Sequence, residues 1–166
     1  GYKEYIKEHI NNAIFFDLDQ HSDQSTDLPH MLVNKHFWEK IISSMGVSNN
    51  DRIIIYDNSD VISSCRLWYN LIYYGHSPKL VHVLDGGLKK WKSENRKLTS
   101  LPTKNINSQY IAKEIKSLVK NKNEINENIL KNKFKVVDAR SEERFYGKIK
   151  EPRAGLRSGS IPKSLC

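Results

Sequence analysis

Few residues in this chain have the type and spacing that chemistry needs. In residues 136–153, VVDARSEERFYGKIKEPR, the apolar pair Val136 and Val137 runs into a carboxylate, Asp138. Such a run reads as a buried strand that turns at Asp138, Ala139 and Arg140 and delivers two arginines, Arg144 and Arg153, to the segment beyond it. Paired guanidiniums can clamp a carboxylate or another small oxyanion. The plainer reading makes Asp138 a helix cap and both arginines surface charges. A second place is the strand–loop junction around Ile55, Tyr56, Asp57, Asn58, Ser59 and Asp60. In a parallel α/β sheet this loop faces the ligand crevice, and the N-terminus of the next helix offers free N–H groups to an anion. Its first position holds Asp57, which repels anions and is a poor nucleophile for sulfur chemistry. As a local feature, Asp57 reads as a turn and capping residue.

Two cysteines are present, Cys65 and Cys166, and neither forms a CxxC pair. That argues against a disulfide scaffold or a zinc site and points to a reducing, cytoplasmic location. Cys65 lies near a helix start and precedes Arg66, but its pattern is that of a buried helix face. None of the histidines pairs at metal-ligand spacing, so no metal or other cofactor is expected. His82 reads as packed in a strand. His30, beside Pro29 on a long polar loop, is the histidine most open to function.

These groups must be positioned by a frame, and the apolar pattern supplies one. Apolar runs at residues 13–19, 52–57, 79–84 and 134–138 read as strands, the second rich in β-branched isoleucine. Residues 35–45 read as a helix with Phe37, Ile41, Ile42 and Met45 inward, stopped by Gly46. Residues 65–74 read as a helix with Leu67, Trp68, Leu71 and Ile72 inward. A short helix over 88–95 and one over 113–120, followed by a weaker one, complete the pattern. Strands alternating with helices give an α/β fold with a parallel sheet. A shift of composition near residue 99 divides the chain into a first domain over 1–98, a linker with helices over 99–132, and the opening of a second domain over 133–166.

The balance of 27 Lys and Arg against 19 Asp and Glu gives a net charge of +8. The cations are spread along helical faces without aromatic interleaving, which argues against nucleic acid as a partner. No run approaches the ~18 apolar residues of a membrane span, so no membrane partner is expected.

Several long segments, in order, give the chain a family likeness: YIKEHI through FFDLDQHSDQSTDLPHML, then RIIIYDNSD, CRLWYNLIYYGH, VHVLDGGLKKW, VVDARSEERFYG and EPRAGLRSGSIP. The chain resembles the two-domain sulfurtransferases of the rhodanese family, and within them the 3-mercaptopyruvate branch. The resemblance implies a rhodanese-like parallel sheet with flanking helices, then the start of a second rhodanese domain. It implies that the first domain is an inactive copy, with Asp57 where the catalytic domain carries its cysteine. It also implies that Arg144 and Arg153 hold the substrate carboxylate. The implied reaction moves sulfane sulfur from 3-mercaptopyruvate or thiosulfate, through a cysteine persulfide, to cyanide or a thiol. The implied partners are those small molecules.

Departures from the family pattern set further expectations. The chain is expected to lack the first strand of its first domain and the Cys-Gly-Ser-Gly catalytic loop, and so to be an inactive fragment. Ser160, Lys163, Val33 and Cys166 stand where His, Gly, Pro and Asn are usual. A non-catalytic rhodanese module that binds a partner, or that complements a separate C-terminal catalytic half, is the competing expectation.

Overall fold

The computed structural model describes residues 1–59, 63–153 and 155–166. Asp60, Val61 and Ile62, part of the loop singled out after the second predicted strand, lie outside the described residues, as does residue 154. The chain forms two compact units, Gly1–Leu118 and Val119–Cys166.

In the first unit the elements run α1 (Tyr2–Tyr5), α2 (Lys35–Ser44), β1 (Ile53–Ile55), α3 (Ser64–Tyr73), β2 (Val81–Val83) and α4 (Gly87–Ser93). β1 and β2 pair in parallel, Ile53 beside Val81 and Ile55 beside Val83, and α3 packs on both. The fold is α/β, with a small parallel sheet and flanking helices.

Helix α2 starts where Asn34 accepts the Phe37 N–H at 2.9 Å, as an N-cap should. Gly46 ends it at φ +75°, where a side chain would meet the Ile106 carbonyl at 2.6 Å. The inward face differs from the expected one. Trp38 is fully buried with Ile41 and Ile42, while Phe37 is exposed. The Trp38 ring stacks on Tyr74 at 4.4 Å, and burying that larger ring turns the helix towards it. In α3, Leu71 is buried as expected, but Trp68 is over a third exposed. Its indole N–H donates to the Val81 carbonyl at 3.3 Å, which holds the ring at the edge of the sheet. Cys65 and His82, both expected to pack inward, are exposed. In β2 only Val81 is buried, while His82 and Val83 are both exposed.

Two expected strands have no ladder. Over residues 13–19 the chain is irregular. The Ala13 carbonyl accepts from the Tyr5 and Thr103 hydroxyls, each at 2.7 Å. Residues 134–138 contribute one parallel bridge, Val137 to Leu165. The helix expected over 113–120 is reduced to a 3-10 turn, Lys116–Leu118, since Lys113 and Ile115 donate their N–H groups to the Tyr74 and Tyr73 carbonyls.

Residues 99–118 are stitched onto the first unit. His9 and Thr99 exchange backbone hydrogen bonds, and Glu39 accepts from the Ala112 N–H at 2.9 Å. The stretch read as a linker, 99–132, is therefore divided between the two units. In the second unit α5 (Lys122–Lys131) opens with a capping box. Asn121 and Glu124 each accept the other's backbone N–H, and Asn132 closes the helix in a left-handed conformation. α6 (Glu142–Phe145) is a single turn.

Candidate functional site

Two places carry the groups singled out above, one in each unit. The first is the junction after β1. Asp57 follows the strand by two residues, and its Oδ2 accepts the Ser64 N–H at 2.7 Å and the Ser63 hydroxyl at 3.1 Å. Ser63 itself makes no side-chain cap for α3, so Asp57 caps the helix from six residues upstream. The Asp57 carbonyl accepts from Leu88, and Gly87 packs so closely that a side chain there would come within 2.8 Å of it. Nearby, Glu4 accepts from the Asn58 amide at 3.1 Å, and that hydrogen bond helps hold its carboxyl below the usual range. The field of the α3 N-terminus is thus already met by a carboxylate of the chain itself.

The long loop over 20–34 is tied down from α3. Tyr74 donates its hydroxyl to the Val33 carbonyl at 2.5 Å, and Arg66 donates to the His30 carbonyl. His30 pairs with Asp19 at 2.7 Å on the surface. Burial holds the His21 ring below the usual histidine range. His9 and His76 are fully buried, each with one ring nitrogen on a backbone carbonyl. Among the described residues no group of three or more His, Cys, Asp or Glu is placed to hold a metal, and no helix is long and apolar enough to cross a membrane.

The second place is in the Val119–Cys166 unit. Arg140 donates to both Asp138 oxygens, from Nη2 at 2.6 Å and Nε at 2.9 Å. Its remaining edge reaches Glu151 at 2.7 Å and the Gly159 carbonyl at 2.8 Å. Arg144 donates to the same Glu151 carboxylate, from Nη2 at 2.5 Å and Nε at 3.2 Å. The Glu151 side chain is only 3% exposed, against 30% for Arg144. Arginine hydrogen bonds hold the Asp138 carboxyl down to about 2 and the Glu151 carboxyl below its usual range, Arg144 being the larger cause for Glu151. Hydrogen bonding to Asp138 raises Arg140 further still.

The two arginines read from sequence are therefore unlike. Arg144 is half-buried and spent on Glu151. Arg153 is exposed, and among the described residues it has no hydrogen-bond or ion-pair partner. Arg140 and Glu151 were not singled out by sequence reasoning. The Asp-Ala-Arg spacing was the available signal for the first, since it closes a turn with a side-chain pair. No local signal marked Glu151.

The Rhodanese-like domain model matches residues 1–94. The chain is 36% identical to 3-mercaptopyruvate sulfurtransferase of Mus musculus over 165 residues, covering 98% of this chain and 55% of that protein. It is 33% identical to mitochondrial thiosulfate/3-mercaptopyruvate sulfurtransferase 1 of Arabidopsis thaliana, covering 99% of this chain and 48% of that protein. The crystal structure of Tum1 from Saccharomyces cerevisiae superposes with a TM-score of 0.82 at 29% identity, over 95% of this chain and 54% of that one. The chain thus spans about half the length of these relatives. With more than half of its residues matched by that domain model, the chain belongs to the rhodanese-like family.

Proposed function

We propose that this chain is part of a sulfurtransferase that moves sulfane sulfur from 3-mercaptopyruvate or thiosulfate to cyanide or a thiol. The observation that carries this reading is the similarity to proteins of those names over nearly all of its residues. In this reading Arg144 and Arg153 orient the donor's anionic group, and the persulfide-forming cysteine is supplied from elsewhere. Asp57 occupies the equivalent strand-end position in the first unit, where its carboxylate fills the helix terminus that would otherwise stabilise a thiolate. The chain alone is then inactive. Thiocyanate formation from cyanide, assayed with each donor, should stay at the uncatalysed rate. Robust turnover that survives Cys65→Ser and Cys166→Ser together would leave the proposal without a nucleophile.

A second reading is a non-catalytic module that complements a separate catalytic half. It is favoured by the second unit, where Val137, Leu130 and Leu165 are all more than half exposed. Mixing with a chain that carries a rhodanese catalytic loop should then restore thiocyanate formation. No gain on mixing counts against it.

A further inference from the structure

We infer that Glu151 sets the charge selectivity of the anion site in the second unit, lowering the advantage that a dianion such as thiosulfate has over a single carboxylate. The inference rests on the assignment of Arg144 and Arg153 to the donor's anionic group. Arg144 faces Glu151 with its Nε and Nη2, the edge that would otherwise grip a carboxylate bidentately. Arg140 is closed in the same way on Asp138, with its Nη1 on the other Glu151 oxygen. Two carboxylates and two guanidiniums make the cluster electroneutral, and Glu151 is its most deeply buried side chain. The attraction felt by an incoming anion then comes from Arg153, two residues beyond Glu151 on the same loop. Arg157 and Lys150 also lie on this loop and, like Arg153, are exposed, so they add an attraction that is the same in every variant below.

The consequence is a rule about valence. A monoanion gains from one net charge and a dianion gains twice as much, so the charge of the cluster fixes the ratio of the two affinities. Removing the Glu151 charge while keeping its shape leaves the cluster at +1. Removing the Arg144 charge leaves it at −1.

The experiment titrates the 15N-labelled full chain with pyruvate and with thiosulfate, following the arginine Nε–Hε resonances. In Glu151→Gln, pyruvate binding should tighten about three-fold and thiosulfate binding about ten-fold, with the Arg144 resonance shifting on release from the ion pair. Arg144→Gln should move both affinities the other way, thiosulfate more. The double variant Arg144→Gln/Glu151→Gln should return the ratio to that of the unaltered chain, and no purely structural role of Glu151 gives that return. Backbone amide protection at Phe134 reports whether each variant keeps the unit folded. If Glu151→Gln does not fold, the ratio in Arg144→Gln and in the double variant still decides. An unchanged ratio across the variants, with Arg153→Gln still weakening binding, overturns the role of Glu151 alone. If the unaltered chain binds neither anion, the donor-binding assignment falls and this inference falls with it.

Discussion

The two units are held together by different forces. In Gly1–Leu118 the stabilising contacts are apolar: Trp38, Ile41, Ile42, Ile55, Leu71, Tyr74 and Val81 form one buried cluster. In Val119–Cys166, Asn128 is the one buried residue among those described, and the half-buried Ile125, Ile129, Phe134, Val136 and Phe145 are joined by an ion cluster of Asp138, Arg140, Arg144 and Glu151. Asn128 clips Phe134 from both sides, donating to its carbonyl at 2.8 Å and accepting its N–H at 2.9 Å. Apolar burial is indifferent to proton concentration, whereas an ion cluster is not, and the first unit adds only separate titrating groups such as His21, Glu39 and Asp51 to its apolar core. One chain therefore carries two units that should fail under different conditions.

The largest expected break is in the apolar unit. Trp38→Ala removes the ring stacked on Tyr74, and a buried aromatic lost to alanine costs roughly 3–5 kcal/mol. Urea unfolding of the first unit should show this loss, while amide protection around Asn128 stays as it was. If both units weaken together, they are not independent.

Acid should make the opposite break. Asp138 and Glu151 both have folded values below their unfolded ones. Their contribution is thus complete above the ordinary carboxylate range, roughly pH 4, and is lost as the pH falls towards about 2, where Asp138 titrates in the folded unit. All three tryptophans lie in the first unit. Through the upper part of that window, hydrogen exchange should therefore show the second unit opening while tryptophan fluorescence holds steady. A fluorescence change that precedes the exchange would reverse the assignment.

Two smaller effects sharpen the contrast. Asn128→Ala removes both hydrogen bonds to Phe134 and should destabilise the second unit by about 1–3 kcal/mol, read from exchange of the Phe134 amide. Asp57→Ala should cost the first unit about 1 kcal/mol, the usual loss for a helix cap, with Asp57→Asn costing less. A loss in Asp57→Ala within error of zero in urea melts would mean that another group caps α3.

Local pattern was enough for what depends on neighbours in sequence. The start of α2 at Lys35 and its stop at Gly46 came through because caps and positive-φ glycines act within one turn. So did the parallel pairing of two β-branched runs and the capping use of Asp57. Other features depended on distant groups. Whether Trp38 or Phe37 points inward was decided by Tyr74, a residue on another helix. Cys65 and His82 lie outside because tertiary packing buries other residues of α3 and β2, Leu71 and Val81 among them. The segment over 13–19 makes no ladder, and its Ala13 carbonyl accepts instead from hydroxyls of Tyr5 and of the distant Thr103.

The candidate site divides along the same line. Sequence alone determined that this chain carries an aspartate at the strand end, two arginines after a second strand-like run, and the motifs of its family, because residue type and spacing are local properties. Only the tertiary structure decided that Arg144 is closed and Arg153 is open. That choice was made by Glu151, whose burial brings one carboxylate within hydrogen-bond reach of two guanidiniums, and no spacing rule encodes which of two cations a buried anion will take.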